Sequence, residues 1–155
     1  MMKEVLTSHV KKNWVDYNGH MNDSEYAKVF SMAVDQWMKQ IGITADFREK
    51  EKYTMFTLET HLCYLDEVHE GQTLTINLQL LDYDAKRAHV FFIMSSNSNN
   101  RVATSEQMLM GMDTNQGKPG PFPEEILNEI KKIAQDQEGM VLPKEAGKTI
   151  GIRRK

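Results

Sequence analysis

Ser24-Glu25-Tyr26-Ala27-Lys28-Val29-Phe30-Ser31-Met32-Ala33-Val34-Asp35-Gln36-Trp37-Met38-Lys39-Gln40-Ile41 is the stretch from which the fold follows. Tyr26, Val29, Phe30, Ala33, Val34, Trp37, Met38 and Ile41 recur at helical spacing and form one continuous apolar stripe. Asn22, Asp23 and Ser24 offer capping oxygens before it, and Gly42 offers a left-handed stop after it. A helix this long, apolar along one whole side, needs a complete sheet face to cover it.

Strands are what the flanking sequence supplies. Residues 4–13 mix Val5, Leu6 and Val10 with polar residues. Residues 54–65 carry Met55, Phe56, Leu58, Leu62, Tyr64 and Leu65. Residues 73–81 alternate Leu74, Ile76, Leu78 and Leu80 with polar partners, and 88–95 form the second arm of a hairpin across Asp82-Tyr83-Asp84-Ala85. After the polar turn Ser95–Asn100, residues 101–112 place Val102, Thr104, Met108, Met110 and Met112 in phase, which predicts that face as the buried one. The Gly/Pro stretch 117–123 ends the sheet. Pro123-Glu124-Glu125 opens a second helix to about Gln135, with Ile126, Leu127, Ile130 and Ile133 as its stripe. The expected fold class is therefore α+β: an antiparallel sheet of about five strands wrapped around one long central helix, the hotdog arrangement. Residues 1–138 make the domain and 139–155 an irregular tail.

The 155 residues favour one domain. With 40% hydrophobic and 26% charged residues and a formal net charge of −3, the composition is that of an ordinary globular protein without the basic footprint of a nucleic-acid binder. Its only concentrated positive charge is Arg153-Arg154-Lys155. The single cysteine, Cys63, sits in an apolar run and reads as a buried small hydrophobe. No signal peptide or membrane span is legible, which predicts a cytoplasmic protein. The five histidines show no metal-ligand spacing, so no metal and no bound cofactor are expected.

Between the first strand and the long helix lies Trp14-Val15-Asp16-Tyr17-Asn18-Gly19-His20-Met21-Asn22. A turn at a helix N-terminus has free amides and a positive dipole end, which stabilise an oxyanion. Asp16 can attack a thioester carbonyl or deprotonate water, His20 can orient it or carry a proton, and the Gly19 and Met21 amides are candidate oxyanion donors. The same residues also make good turn and capping chemistry, with Asn22 a natural helix cap and Tyr26 a natural core residue.

Asp16-x-Asn18-x-His20-x-Asn22-x-x-x-Tyr26 at the entry to a long helix resembles the hotdog acyl thioesterases. Asp16 is similarly placed to the catalytic carboxylate of the 4-hydroxybenzoyl-CoA thioesterase group, and Asp16, Asn18 and His20 resemble the Asp-x-Asn-x-His element of plant acyl-carrier-protein thioesterases. Glu59-Thr60-His61-Leu62-x-Tyr64-Leu65, Leu81-x-x-Asp84-Ala85-Lys86-Arg87-x-His89, Ala103-Thr104-x-Glu106-Gln107-Met108-Leu109 and the tail Leu142-Pro143…Gly147-Lys148-x-Ile150-Gly151 resemble the betainyl-CoA thioesterase family, found beside or fused to carnitine dehydrogenase. That resemblance implies hydrolysis of betainyl-CoA to glycine betaine and CoA, with CoA only part of the substrate. It also implies a homodimer or tetramer whose clefts are shared between subunits. A broad acyl-CoA or acyl-carrier-protein thioesterase, a non-catalytic acyl-CoA binding module and a hydroxyacyl-CoA dehydratase are the competing readings.

A trimethylammonium head calls for aromatic faces and a carboxylate. Trp14 and Tyr17, which flank Asp16, are the preferred aromatics over Trp37 and Tyr64. Glu59, Glu106, Asn22 and Tyr26 complete the expected substrate set. Glu106 falls in phase with apolar neighbours, where it would need a substrate cation or a histidine as partner unless the other strand face is the buried one. Glu59 can equally lie on a solvated face. Lys86 and Arg87 are candidate contacts for CoA phosphates, or simply the charged tip of a hairpin.

Overall fold

The computed structural model describes residues 1–97 and 99–154; Ser98 of the polar turn and Lys155 of the basic tail lie outside the described residues. The long helix α1 runs Asp23–Gln40, and Tyr26, Val29, Phe30, Ala33, Val34, Trp37 and Met38 of the stripe are its buried residues. Gly42, at φ 104°, makes the left-handed stop. Around it lie strands β1 (Lys3–His9), β2 (Tyr53–Tyr64), β3 (Thr73–Tyr83), β4 (Arg87–Ser95) and β5 (Arg101–Asp113), with a two-residue strand β6 (Lys118–Pro119). The order across the sheet is β1-β3-β4-β5-β2, every pair antiparallel, and β6 adds to β5.

Register breaks at Glu4/Leu6, Thr57/Glu59, Leu80/Asp82 and Met94/Ser95 bend the strands. The bent sheet closes around α1: Leu74, Ile76, Leu78, Val90, Phe92, Met94 and Leu109 share one core with the helix stripe. Phe30 meets Phe92 with ring centroids 6.3 Å apart. This is the hotdog arrangement, and it fixes the front of α1 against the loop that precedes it.

Two further helices complete the chain. Helix α2 (Ala45–Glu51), which the sequence pattern did not reveal, is capped by Thr44, whose hydroxyl oxygen accepts from the Phe47 N–H at 3.1 Å. It has no buried residue, so no apolar stripe marks it. Helix α3 (Glu124–Asp136) buries Ile126, Ile130 and Ile133 as expected. Just beyond it the Gln137 side chain bridges β3, accepting from Leu80 N–H at 2.7 Å and donating to Leu78 C=O at 3.1 Å. The amide stands in for a strand neighbour where β1 has ended, its register with β3 having begun at Lys3 opposite Leu78.

The phase expected along 101–112 is inverted. From Ser105 onward the buried residues are Ser105, Gln107, Leu109 and Gly111, while Glu106, Met108, Met110 and Met112 lie on the more open face. Five methionine, valine and threonine positions in phase resembled a core face, but methionine tolerates partial exposure and here lines the outside of the sheet. Cys63 is only half-buried on β2, with its Sγ 3.9 Å from His61 Nε2.

Among the described residues, those beyond α3 form neither helix nor strand but are tied to the sheet. Arg101 forks onto Glu145 at 2.7 and 3.2 Å, Gly147 N–H donates to Glu106 at 2.8 Å, and Gln79 donates to Val141 C=O at 3.2 Å. No helix among the described residues is long and apolar enough to cross a membrane.

Candidate active site

A short 3-10 turn, Lys12–Trp14, carries the chain from β1 into the loop before α1. Val15 and Met21 bridge across that loop, closing residues 16–20 into a tight turn in which Gly19 takes φ 79°. The half-buried Asp16 carboxylate organises it: Oδ1 accepts from Asn18 N–H at 2.8 Å and from His20 N–H at 3.1 Å. Among the described residues Oδ2 accepts no hydrogen bond. The turn chemistry and the candidate chemistry of Asp16 thus use different oxygens.

The amides singled out for an oxyanion are already engaged. Gly19 N–H donates to Asp16 C=O at 2.9 Å, and Met21 N–H donates to Val68 C=O at 2.9 Å. Asn22 sits at the cap position of α1, yet its side chain caps nothing, and its own N–H goes to Trp14 C=O. Among the described residues, the first amide at the front of α1 without a backbone acceptor is that of Asp23, and it carries the positive end of the helix.

His20 leads from this turn into a cleft of about 430 Å³ lined also by Met21, Asp23, Tyr26, Tyr64 and Asp66, with Leu65 and Glu67 at its side. Tyr26 and Tyr64 meet edge-to-face, centroids 5.2 Å apart at 88°. The Tyr26 hydroxyl donates to Asp66 C=O at 3.3 Å and the Tyr64 hydroxyl to Asp23 C=O at 3.2 Å. Burial raises the Tyr26 phenol above its ordinary range, and the Asp66 and Glu67 carboxylates add to the rise. Tyr64 is raised likewise, by burial and then by Asp23. Asp66 is held below the usual carboxylate range, first by the Asn100 side-chain amide and then by the Glu67 N–H. The cleft is therefore electronegative and aromatic.

Glu67 and His69 belong to the same corner. His20 Nε2 lies 3.2 Å from Glu67 Oε2, the His20 and His69 rings touch edge-on at 4.9 Å, and the ligand atoms of the three fall within 4.8 Å of one another. No metal-ligand spacing marks these residues along the chain because they come from either side of α1 and β2; the His20–His69 bridge brings them together.

The remaining predicted residues lie elsewhere. Trp14 is buried, with the Lys11 and Lys28 ammonium groups 5.3 and 5.7 Å from its ring, so its face is already occupied. Tyr17 is 96% exposed and points into water. Trp37 is core. Glu59 and Glu106 line a second cleft of about 500 Å³ with Thr60, His61, His89 and Met108, which shares no residue with the first. There Glu106 finds a histidine partner: Oε2 lies 2.6 Å from His89 Nε2. Lys86 and Arg87 form the β3–β4 hairpin tip, where Arg87 Nε donates to Asp84 at 2.7 Å. A phosphate would have to compete with that carboxylate, whose pKa the Arg87 guanidinium and the Lys86 amide hold down at about 2. Sequence reasoning missed Asp66, Glu67 and His69; the signal available was the abrupt change from an apolar strand end, Tyr64-Leu65, to Asp66-Glu67.

Comparison with known proteins agrees with this architecture. The Thioesterase-like superfamily pattern matches residues 10–130. The betainyl-CoA thioesterase of Pseudomonas aeruginosa is 37% identical, over 97% of this chain and 98% of its own length. The L-carnitine dehydrogenase/betainyl-CoA thioesterase of Rhizobium meliloti is 38% identical over 97% of this chain, which spans 30% of that longer protein. A Staphylococcus aureus protein solved in complex with CoA superposes with a TM-score of 0.92 at 31% identity, covering 99% of this chain and 98% of that one. The chain belongs to the Thioesterase-like superfamily and, within it, to the betainyl-CoA thioesterase family of thioester hydrolases.

Proposed function

We propose that this protein hydrolyses betainyl-CoA to glycine betaine and CoA, with Asp16 as the reacting carboxylate. The observation that carries this reading is the division of labour on Asp16, in a chain whose full-length relative is a betainyl-CoA thioesterase. Oδ1 is fixed by two loop amides, leaving Oδ2 for chemistry at the front of α1. Oδ2 either attacks the thioester carbonyl, expelling the CoA thiolate and leaving a mixed anhydride that water then hydrolyses, or takes a proton from the water that attacks that carbonyl. The oxyanion that forms is met by the Asp23 N–H and the positive end of the helix in place of the Gly19 and Met21 amides. His20, whose N–H donates to Asp16 and whose ring Nε2 lies 3.2 Å from Glu67 Oε2, positions the carboxylate and relays the proton to the CoA thiolate.

In the same proposal Lys86 and Arg87 contact the CoA phosphates, no resident cofactor takes part, and the enzyme is a cytoplasmic homodimer or tetramer. Pairing through the open edge of β2 would cover Phe56 and Leu58, which are half exposed there.

Asp16→Asn tests the core of this reading. The asparagine Oδ1 accepts the same two amides, so the turn survives while the charge is lost. We expect kcat on betainyl-CoA to fall at least ~100-fold, in line with loss of a general base, while the thermal midpoint stays close to that of the parent. A variant that retains near-parental turnover removes Asp16 from the mechanism.

A further inference from the structure

We propose that the cleft between the front of α1 and the end of β2 is a quaternary-ammonium subsite, with Tyr26 and Tyr64 as its aromatic walls and Asp66 and Glu67 as its counter-charge. The inference rests on the thioesterase reading above and names the part of that site which selects the acyl group.

A trimethylammonium group has no N–H to donate, and its charge is spread over the outer surface of its methyl groups. Directed hydrogen bonds cannot hold it. What suits it is an aromatic face within about 6 Å and negative charge nearby. Few aromatic residues near Asp16 remain available. Trp14 is overlaid by Lys11 and Lys28, Tyr17 stands in solvent and Trp37 is in the core. Tyr64, about half exposed, and Tyr26, buried behind it with an edge on the cleft, are the pair that lines the cleft with His20.

Their perpendicular packing makes a corner rather than a flat wall, and that corner is set before any ligand arrives. Each hydroxyl is tied to a backbone carbonyl, Tyr26 to Asp66 and Tyr64 to Asp23. The Asp66 carboxylate is fixed at both oxygens, Oδ2 by the Asn100 side chain at 2.7 Å and Oδ1 by the Glu67 N–H at 2.8 Å. Such prior fixation lowers the ordering cost of binding. Position agrees as well. In a betainyl thioester one methylene separates the ammonium from the carbonyl, so the head must sit beside the reacting carboxylate. His20 lines the cleft and its N–H holds Asp16.

The test uses two thioesters of the same shape. Betainyl-CoA carries a trimethylammonium head, and 3,3-dimethylbutyryl-CoA carries a neutral tert-butyl head in its place. The parent protein should prefer the cation by at least ~10-fold in kcat/KM. Tyr64→Leu and Asp66→Asn should each lower that preference about tenfold, by slowing betainyl-CoA more than the neutral thioester. Tyr64→Phe should keep the preference, since the ring stays and only the hydroxyl bond is lost. Tetramethylammonium should compete with betainyl-CoA in the parent and markedly less in Asp66→Asn. Equal rates on both thioesters in the parent, or variants that slow both alike, overturn the subsite and leave the thioesterase reading standing. Absence of turnover of either thioester by folded protein removes that reading, and the subsite with it.

Discussion

Arg101→Met isolates the bond that holds the C-terminal segment to the sheet. Glu145 is only 4% exposed, and its carboxylate accepts two hydrogen bonds from Arg101, while methionine keeps much of the arginine stem packing. Removing one partner of a buried pair commonly costs ~3–5 kcal/mol, because a charge is left without a partner. Here the cost is capped, since Glu145 can reach water if the segment peels away. What else holds the segment is mainly polar: the Gly147 bond to Glu106 and the Gln79 bond to Val141. Val141, Leu142, Ile150 and Ile152 are all exposed and add little. One hydrogen bond to a charged group and one neutral bond contribute roughly 2–4 kcal/mol together. The expected loss is therefore about 2 kcal/mol, felt as local release rather than global unfolding, and worth a ~30-fold rise in the open population.

Limited proteolysis within residues 141–151, beside a thermal melt, measures both quantities. Cleavage should rise about 30-fold in Arg101→Met while the melting midpoint barely moves. The pH dependence follows with its sign. Burial pushes the Glu145 carboxyl up, but the Arg101 fork and a backbone amide outweigh it and leave the group below its ordinary range. A depressed carboxyl stabilises the docked state fully above its unfolded pKa and loses that contribution as pH falls through the folded value. Parental cleavage should thus increase below pH ~4, and Arg101→Met should lose this response. Unchanged cleavage in the variant, or a fall in melting midpoint without local release, would refute the reasoning.

Gly111→Ala places a methyl group into the Tyr53 hydroxyl and against the Gly120 carbonyl, so circular-dichroism melts should report a loss of about 1–3 kcal/mol or more. Tyr53→Phe in the same chain should recover part of it, although it forfeits the buried bond to Gly120 C=O. Gln137→Leu leaves the Leu80 N–H and Leu78 C=O without partners in a buried position, and denaturant titration should show a cost of roughly 2–4 kcal/mol.

The fold was legible because its determining signal is local and redundant. Eight apolar residues at helical spacing, with polar caps before and glycine after, leave no other structure for residues 24–41, and the alternation in 73–81 leaves none for β3. Where the signal was not redundant it misled or was silent. Methionine carried the phase on β5, and methionine is indifferent to which side of a sheet it faces. Helix α2 has one capping threonine and a single apolar contact, the partly buried Phe47, too little to make a pattern of apolar residues.

The site divides along the same line. Asp16, Asn18 and His20 stood out because a tight turn writes its chemistry in consecutive residues, and the fold ties them together through Asp16 Oδ1. The two turn aromatics part company because adjacency along a turn is not adjacency in space: the 3-10 turn drives Trp14 under two lysines, and Tyr17 leaves the same turn into water. Tyr26 and Tyr64 meet only because the front of α1 packs against the end of β2, and Asp66 is oriented by Asn100 from the β4–β5 turn. No spacing rule connects those segments. What does connect them is a physical demand visible in the sequence itself: three acids, Asp66, Glu67 and Glu70, crowd the exit of a strand that ends in apolar residues. Like charges gathered there cost free energy through mutual repulsion unless something positive shares the space. Within the chain His20 answers part of that demand; a cationic acyl group would answer the rest.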